Sequence, residues 1–418
     1  MSPTIIWLDH SFGGIHAARL VLPHGSAMDP QGGAGMHQLL AGSLTRGCGD
    51  LGAVAFAEHI ETLGGSLRSD TSDDRLVLAL KCVSTDAPQL LPLLLEMVET
   101  PHLQDEQVRL EQDLNLQSLQ RMQEDPFALA HEQLRLLLYG SGTYGHDPLG
   151  RRDELEGIDP EAIRHAARAL PCHQATMVIS GPADEPLQRL VQERISCWQA
   201  SAGVRPQLGS ISANNWAGVG ADTEQSVLML GFRTVPIHAP EALALRLLQV
   251  HLGVGMSSRL FQSLRETHGL VYDVGAELAL RELESPFIWH LSTSAEQAVA
   301  ALDALLAEWQ QVLQAPLPEA SLELARAKLR GQEALGRQTG AQRAERTALC
   351  LSLGLPGDYH QRAMEWIETI SATDVLEAAR RWLQHPVLSA CGPAASLSAL
   401  QSRWQQVVPP QRSAAAAR

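Results

Sequence analysis

A guanidinium and a phenol seven residues apart, Arg265 and Tyr272, lie in the segment GVGMSSRLFQSLRETHGLVYDVGAEL at residues 253–278. Ser257 can cap a helix that carries Leu260, Phe261 and Leu264 on its apolar face. Gly269 can take the left-handed conformation that ends it, and residues 270–274 then read as a strand. A tight glycine turn between helix and strand lets the two side chains converge. Together they offer a charged and a neutral donor to an oxygen that is becoming negative, which is what an oxyanion site requires. On spacing alone the plainer reading has the greater weight, with Arg265 a cation near the helix C-terminal dipole and Tyr272 an ordinary strand residue.

Few other residues offer chemistry. The string HEQLR at residues 131–135 begins like a His-Glu-x-x-His zinc site, but Arg135 stands at the second ligand position. No phosphate-binding glycine loop, serine elbow or Cys-His pair has the context that its chemistry needs.

The elements that must position the pair belong to a large chain. Its 418 residues suggest two or more domains, and 45% hydrophobic with 19% charged residues exclude wholesale disorder. Lys and Arg total 32 against 47 Asp and Glu, a net charge of −15 without a basic patch, so neither nucleic acid nor an anionic membrane is expected as a partner. The six cysteines lie far apart with no Cys-x-x-Cys, which reads as reduced, buried thiols. Residues 1–14 lack a basic leader and an apolar core, and no run of about 18 apolar residues occurs, so a soluble cytoplasmic protein is expected.

One pattern is written twice. IDPEAIRHAARAL from Ile158, followed by an apolar strand and Gly181-Pro182, recurs as ISATDVLEAARRWL from Ile370, followed by a strand and Gly392-Pro393. Asp159 and Ser371 are the expected caps. Residues 200–217, rich in Gly, Ser, Asn and Pro, read as a linker between domains at 1–199 and 218–418. In the first half, 15–22 reads as an alternating strand and 76–83 as a nearly continuous apolar one. Helices are expected at 90–99, 105–122 and 126–138, with Asp105 and Asp125 as caps. The second half predicts a strand at 226–232 and helices at 241–252 and 257–267. This irregular alternation predicts two homologous α+β domains, each a mainly antiparallel sheet with helices packed on one face.

With these residues in view, GMSSRLFQSLRETHGLVYDV resembles the second-half signature of the pitrilysin or insulinase-type zinc metallopeptidases, in particular the short chains related to mitochondrial processing peptidase subunits. SGTYGHDPLGRRDELEGI, LGGSLRSDTSDD and LSLGLPGDYHQRAMEWIETISATDV resemble further family segments in the expected order. The resemblance implies a duplicated α+β fold and, for Arg265 and Tyr272, binding of the substrate carbonyl and the tetrahedral intermediate.

It also implies where zinc would sit. Active members carry His-x-x-Glu-His after the first strand and a further Glu ligand downstream. Matching the segment GMHQLLAGSLTRG puts Gln38 and Gly42 at the two His positions and Ala41 at the general-base Glu. On the helix from Asp105, Glu111 matches the outer Glu of the family pair and Ser118 the ligand Glu. Gln, Gly and Ser supply no imidazole or carboxylate, so the chain is expected to bind no metal. His37, one residue off the pattern and therefore turned by about 100°, is expected at the surface or core edge. The resemblance implies a heterodimer in which a homologous subunit holds the zinc and cleaves peptides, with this chain supplying Arg265 and Tyr272. A non-enzymatic core or peptide-binding subunit is the alternative.

Overall fold

The two copies of the repeat occupy equivalent places. In the computed structural model, which describes residues 3–9, 14–199, 206–209 and 211–408, Asp159 accepts from Glu161 N at 2.6 Å and Ala162 N at 3.3 Å and starts the helix Pro160–Ala167. Ser371 starts the helix Ala372–Trp382 through a reciprocal capping box with Asp374. These caps satisfy N–H groups that a helix start leaves bare; Ser371→Ala should therefore cost about 1 kcal/mol in urea unfolding. Each helix leads into a wholly buried strand ending in glycine, Thr176–Gly181 and Val387–Gly392. A Cβ on Gly181 would come within 2.6 Å of the His16 ring, and one on Gly392 within 2.7 Å of Ser226 Oγ, so both glycines serve close approach of a neighbouring strand.

The described residues form two compact units. The first comprises Met1–Gln120, Asp147–Pro206 and Glu333–His360. Its strands are β1 (Thr4–Asp9), β2 (Ile15–Leu22), the short pair β3 (Gly47–Cys48) and β4 (Leu51–Gly52), β5 (Ser66–Thr71), β6 (Leu76–Val83) and β7 (Thr176–Gly181). The main sheet has the order β1-β7-β2-β6-β5, with β1 and β7 parallel and the other pairs antiparallel. Ala18, Leu20 and Leu22 of β2 face a core shared with Leu39 and Leu40 of the helix Met36–Ser43 and with Leu90 and Leu94 of the helix Ala87–Glu99.

The other face of this sheet is covered too. The helix Gly340–Ser352 places Ala344 and Ala348 on Val21 and Val178. Arg75 donates to Ser352 Oγ (3.2 Å) and Ser352 O (2.7 Å), and Arg19 reaches Glu345 at 3.4 Å. Two covered faces explain why β2 is buried from His16 to Leu22, where alternation was expected.

The second unit comprises Arg121–His146, Gln207–Gln332 and Gln361–Arg418. Its strands are β8 (Trp216–Gly220), β9 (Gln225–Arg233), β10 (Asp273–Leu278), β11 (Pro286–Ser294) and β12 (Val387–Gly392), in the order β10-β11-β9-β12-β8. Again only the pair β12 and β8 is parallel. The order repeats that of the first sheet position for position, as a duplication requires. Here the outer face is covered by the helix Pro126–Tyr139, capped by Asp125 accepting from Phe127 N at 2.9 Å. Ser389 Oγ donates to Ala130 O at 2.7 Å, and a Cβ on Gly231 would lie 2.8 Å from Leu134.

The contiguous division at 199 and 218 is therefore revised: residues 121–146 belong to the second unit and 333–360 to the first, and helices cover both sheet faces instead of one. Each sheet has an apolar outer face, and the helix that dries it comes from the opposite half of the chain. Residues 200–205 and 210 of the expected linker lie outside the described residues, and β8 already begins at Trp216. Cys197 is exposed, against the expectation of buried thiols, whereas the other five cysteines are buried. Burial pushes the Cys48 and Cys350 thiols up to about 12 and Cys82 to about 11, which removes them as nucleophiles at neutral pH. Among the described residues no helix is long and apolar enough to cross a membrane.

Candidate functional site

Arg265 lies on a π-helix, Phe261–Thr267, in place of the α-helix expected from residue 257. Ser257 is in a turn, and the expected cap there is not seen among the described residues. The wider ring shows in the bond from His268 N to Ser263 O (3.1 Å) and in Thr267 Oγ1 donating to Gln262 O at 2.8 Å. Leu260 and Leu264 are buried in the core and fix the helix to the sheet. Gly269, at φ +62°, lets Leu270 N reach back to Leu264 O at 2.9 Å, which closes the helix as the sequence suggests. Short π segments of this kind recur at functional sites.

Two polar clamps hold this segment. Arg259 donates to both carboxylate oxygens of the buried Glu308 at 2.7 and 2.9 Å and to Gln311 at 2.8 Å. Lys328 Nζ donates to Val254 O at 2.6 Å, just before the turn. Sequence reasoning missed both. The available sign was a carboxylate, Glu308, in the apolar run ALLAEW at residues 304–309 of the helix Ala298–Gln314.

The Arg265 guanidinium is exposed and lies 4.9 Å from the centroid of the Phe261 ring, a cation–π contact that directs it without neutralising it. Tyr272 is 59% exposed. Its N–H donates to Ser292 O at 2.8 Å, but β10 proper begins one residue later, at Asp273, and not at residue 270. Among the described residues no hydrogen bond, ion pair or ring contact links Arg265 to Tyr272, and no carboxylate pairs with Arg265. Both donors are therefore open to a ligand. A phenol and a guanidinium in this state can donate to a carbonyl or carboxylate oxygen.

The positions matched to the zinc ligands lie on the helix Met36–Ser43 and the helix Asp105–Met122. Ala41 is buried among apolar side chains. Gln38 is half-buried, and Ser118 Oγ donates to Leu114 O at 3.0 Å, one turn back on its own helix. Against Gly42 lies the carboxylate of Glu111, which would collide with a Cβ there. Glu111 Oε2 accepts from Arg46 Nε at 3.1 Å and from its terminal nitrogen at 2.6 Å. These residues do not fit zinc, whose sites use imidazole, thiolate or carboxylate ligands at about 2.0–2.3 Å. Among the described residues no group of three His, Cys, Asp or Glu is assembled that could hold a metal.

His37 is not at the surface or core edge. It is buried, its Nδ1 lies 2.7 Å from Asp29 Oδ1, and Asp29 also accepts from the N–H groups of Gly35 and His37. Asp29 thus caps the helix start and orients the ring, a role that sequence spacing does not disclose. His24 stacks on His37 at 6.0 Å, and burial, reinforced by the His37 and Arg75 charges, pushes its pKa down to about 4. The folded state therefore keeps His24 neutral where the unfolded chain takes up a proton. Its contribution is constant above about pH 6.5 and declines by about 1.4 kcal/mol per pH unit as the pH falls toward 4. His24→Gln should flatten the fall in unfolding free energy between pH 6.5 and 4.5; an unchanged slope would contradict it.

Comparisons with known proteins bear on the family and the fold. A family profile described as insulinase (peptidase family M16) matches residues 8–151, and one described as the peptidase M16 inactive domain matches residues 173–329. An uncharacterized zinc protease of Rickettsia bellii is 23% identical over 385 residues, covering 90% of this chain and 91% of that protein. The non-peptidase homolog YmxG of Helicobacter pylori is 23% identical over 356 residues, covering 84% and 82%. A crystal structure described as a peptidase M16 inactive domain from Pseudomonas fluorescens shares the fold at a TM-score of 0.86 and 19% identity, covering 94% of this chain and 98% of that one. Two profiles matched in order, on a fold with the same duplicated sheets, place this chain in the insulinase-type (M16) peptidase family, as a member lacking the zinc-ligand residues.

Proposed function

We propose that this chain is the metal-free subunit of a heterodimeric zinc metallopeptidase and supplies Arg265 and Tyr272 to an active site whose zinc belongs to a homologous partner. The observation that carries the reading is a contrast within one chain. The two oxyanion-type donors are exposed and without a carboxylate partner, while the matched ligand positions hold Gln38, Ala41, Gly42 and Ser118. The partner's metal centre supplies the hydrolytic chemistry. In this chain the guanidinium and the phenol donate to the carbonyl oxygen of a bound peptide, and their bonds strengthen as charge develops on that oxygen. Substrates are peptides, and this chain itself carries no cofactor.

The test is reconstitution. The chain alone should not cleave peptides, and adding a zinc-bearing homologue from the same cell should give a complex whose cleavage a chelator abolishes. Hydrolysis by this chain alone, or full activity of the partner without it, would overturn the reading. A second reading, a non-enzymatic core or peptide-binding subunit, draws support from the relative described as a non-peptidase homolog. It expects a stable assembly in which substitution at Arg265 and Tyr272 leaves every measured rate unchanged.

A further inference from the structure

We infer that the Arg46–Glu111 ion pair has taken over the bracing role of the metal at the degenerate site, and that it actively excludes a divalent cation. Loss of ligands alone would leave a gap between the helix Met36–Ser43 and the helix Asp105–Met122. Instead the space beside Gly42 is filled. Glu111 packs against the bare Cα side of that residue. Arg46, one turn beyond Gly42, holds its carboxylate through two donors, at 3.1 and 2.6 Å. The two side chains are 28% and 14% exposed, so the pair is largely shielded and its geometry is that of a two-bond guanidinium–carboxylate contact.

The replacement follows from charge and shape. A metal ion tied to both helices would be a cation between them; the guanidinium is a cation on the chain three residues past the end of one and bonded to the other. Its positive charge repels a second cation, and it occupies the Glu111 carboxylate, which could otherwise serve as a ligand. Glycine at 42 is part of the device, because any side chain there must displace Glu111. Restoring ligands without removing Arg46 should therefore fail.

The experiment compares two variants of the full chain. The first carries Gln38→His and Ser118→Glu and keeps Gly42, so that Glu111 stays in place; the second adds Arg46→Ala, which frees the Glu111 carboxylate as the third ligand. After equilibration with zinc sulfate and dialysis, metal analysis should find less than about a tenth of an equivalent in the first and close to one in the second, by the ligand count of a three-residue zinc site. Equal zinc in both, whether one equivalent or none, would overturn the exclusion. Should the multiple variants fail to fold, the bracing is read in the native background by thermal unfolding of Arg46→Ala, Glu111→Ala and the double variant. Each single change should lower Tm by about 3–8 °C, and the double variant should fall little further than either single one. Additive losses, or no loss, would overturn the inference. Neither readout depends on the partner or on peptide cleavage, so the outcome is separable from that of the proposed function.

Discussion

Arg265→Ala should slow peptide hydrolysis by the reconstituted complex by about 10²- to 10³-fold in kcat/KM, corresponding to about 3–4 kcal/mol of transition-state stabilisation. The loss should fall mainly on kcat, because the guanidinium meets more negative charge in the tetrahedral state than in the ground-state carbonyl. Tyr272→Phe keeps the ring and removes only the donor, and about 10²-fold is expected from it. Neither change should disturb folding. Arg265 is exposed and its named contact is the Phe261 ring, worth about 0.5–1 kcal/mol at an exposed site. Tyr272 contributes its backbone N–H to the ladder at Ser292 irrespective of its side chain. Assembly, measured by sedimentation, should match the wild type. Arg265→Lys keeps the charge but loses the fork, so partial recovery is expected. Equal turnover in wild type and Arg265→Ala would remove the oxyanion role.

What the sequence disclosed and what it hid divide along the range of the interactions involved. Asp159 and Ser371 were legible because a cap is decided within four residues, and the recurrence of cap, helix, strand and Gly-Pro revealed the duplication without any long-range information. Gly269 likewise announced the end of the helix that carries Arg265. The π form of that helix was not legible. The segment leading into it is held by Arg259 meeting Glu308, 49 residues away, and by Lys328 at the Val254 carbonyl, contacts that local spacing does not show. The same holds for the Arg46–Glu111 contact beside Gly42. Gln38, Gly42 and Ser118 could be recognised as missing ligands, but nothing in the spacing of Arg46 and Glu111, 65 residues apart, announces that they meet. The helix exchange was the largest surprise, since an amphipathic pattern states that a face is apolar and never which sheet it covers.

That exchange yields the largest expected loss of stability. Ala344 and Ala348 lie one turn apart on the helix Gly340–Ser352 and face Val21 and Val178 at full burial. The alanines set the distance at which Arg75 reaches Ser352 and Arg19 reaches Glu345. A leucine at either position must push the helix outward or force its neighbours off their rotamers, which costs about 1–3 kcal/mol per site. Displacement would also break the contacts of Arg75 with Ser352 and of Arg19 with Glu345, adding about 0.5–1.5 kcal/mol for each hydrogen bond lost. The double variant Ala344→Leu/Ala348→Leu should accordingly lose about 4 kcal/mol or more, a large part of the 5–15 kcal/mol that typically holds a domain together. A drop of about 8–16 °C in Tm is the corresponding reading at about 2–4 °C per kcal/mol. If the loss comes from overpacking, adding Val178→Ala should return part of it by making room beneath the helix, even though that change alone destabilises through a cavity. An unchanged Tm in the double variant would mean that the helix does not sit on this sheet. A loss that Val178→Ala deepens would place the strain elsewhere than at the contact of residues 344 and 348 with the strands.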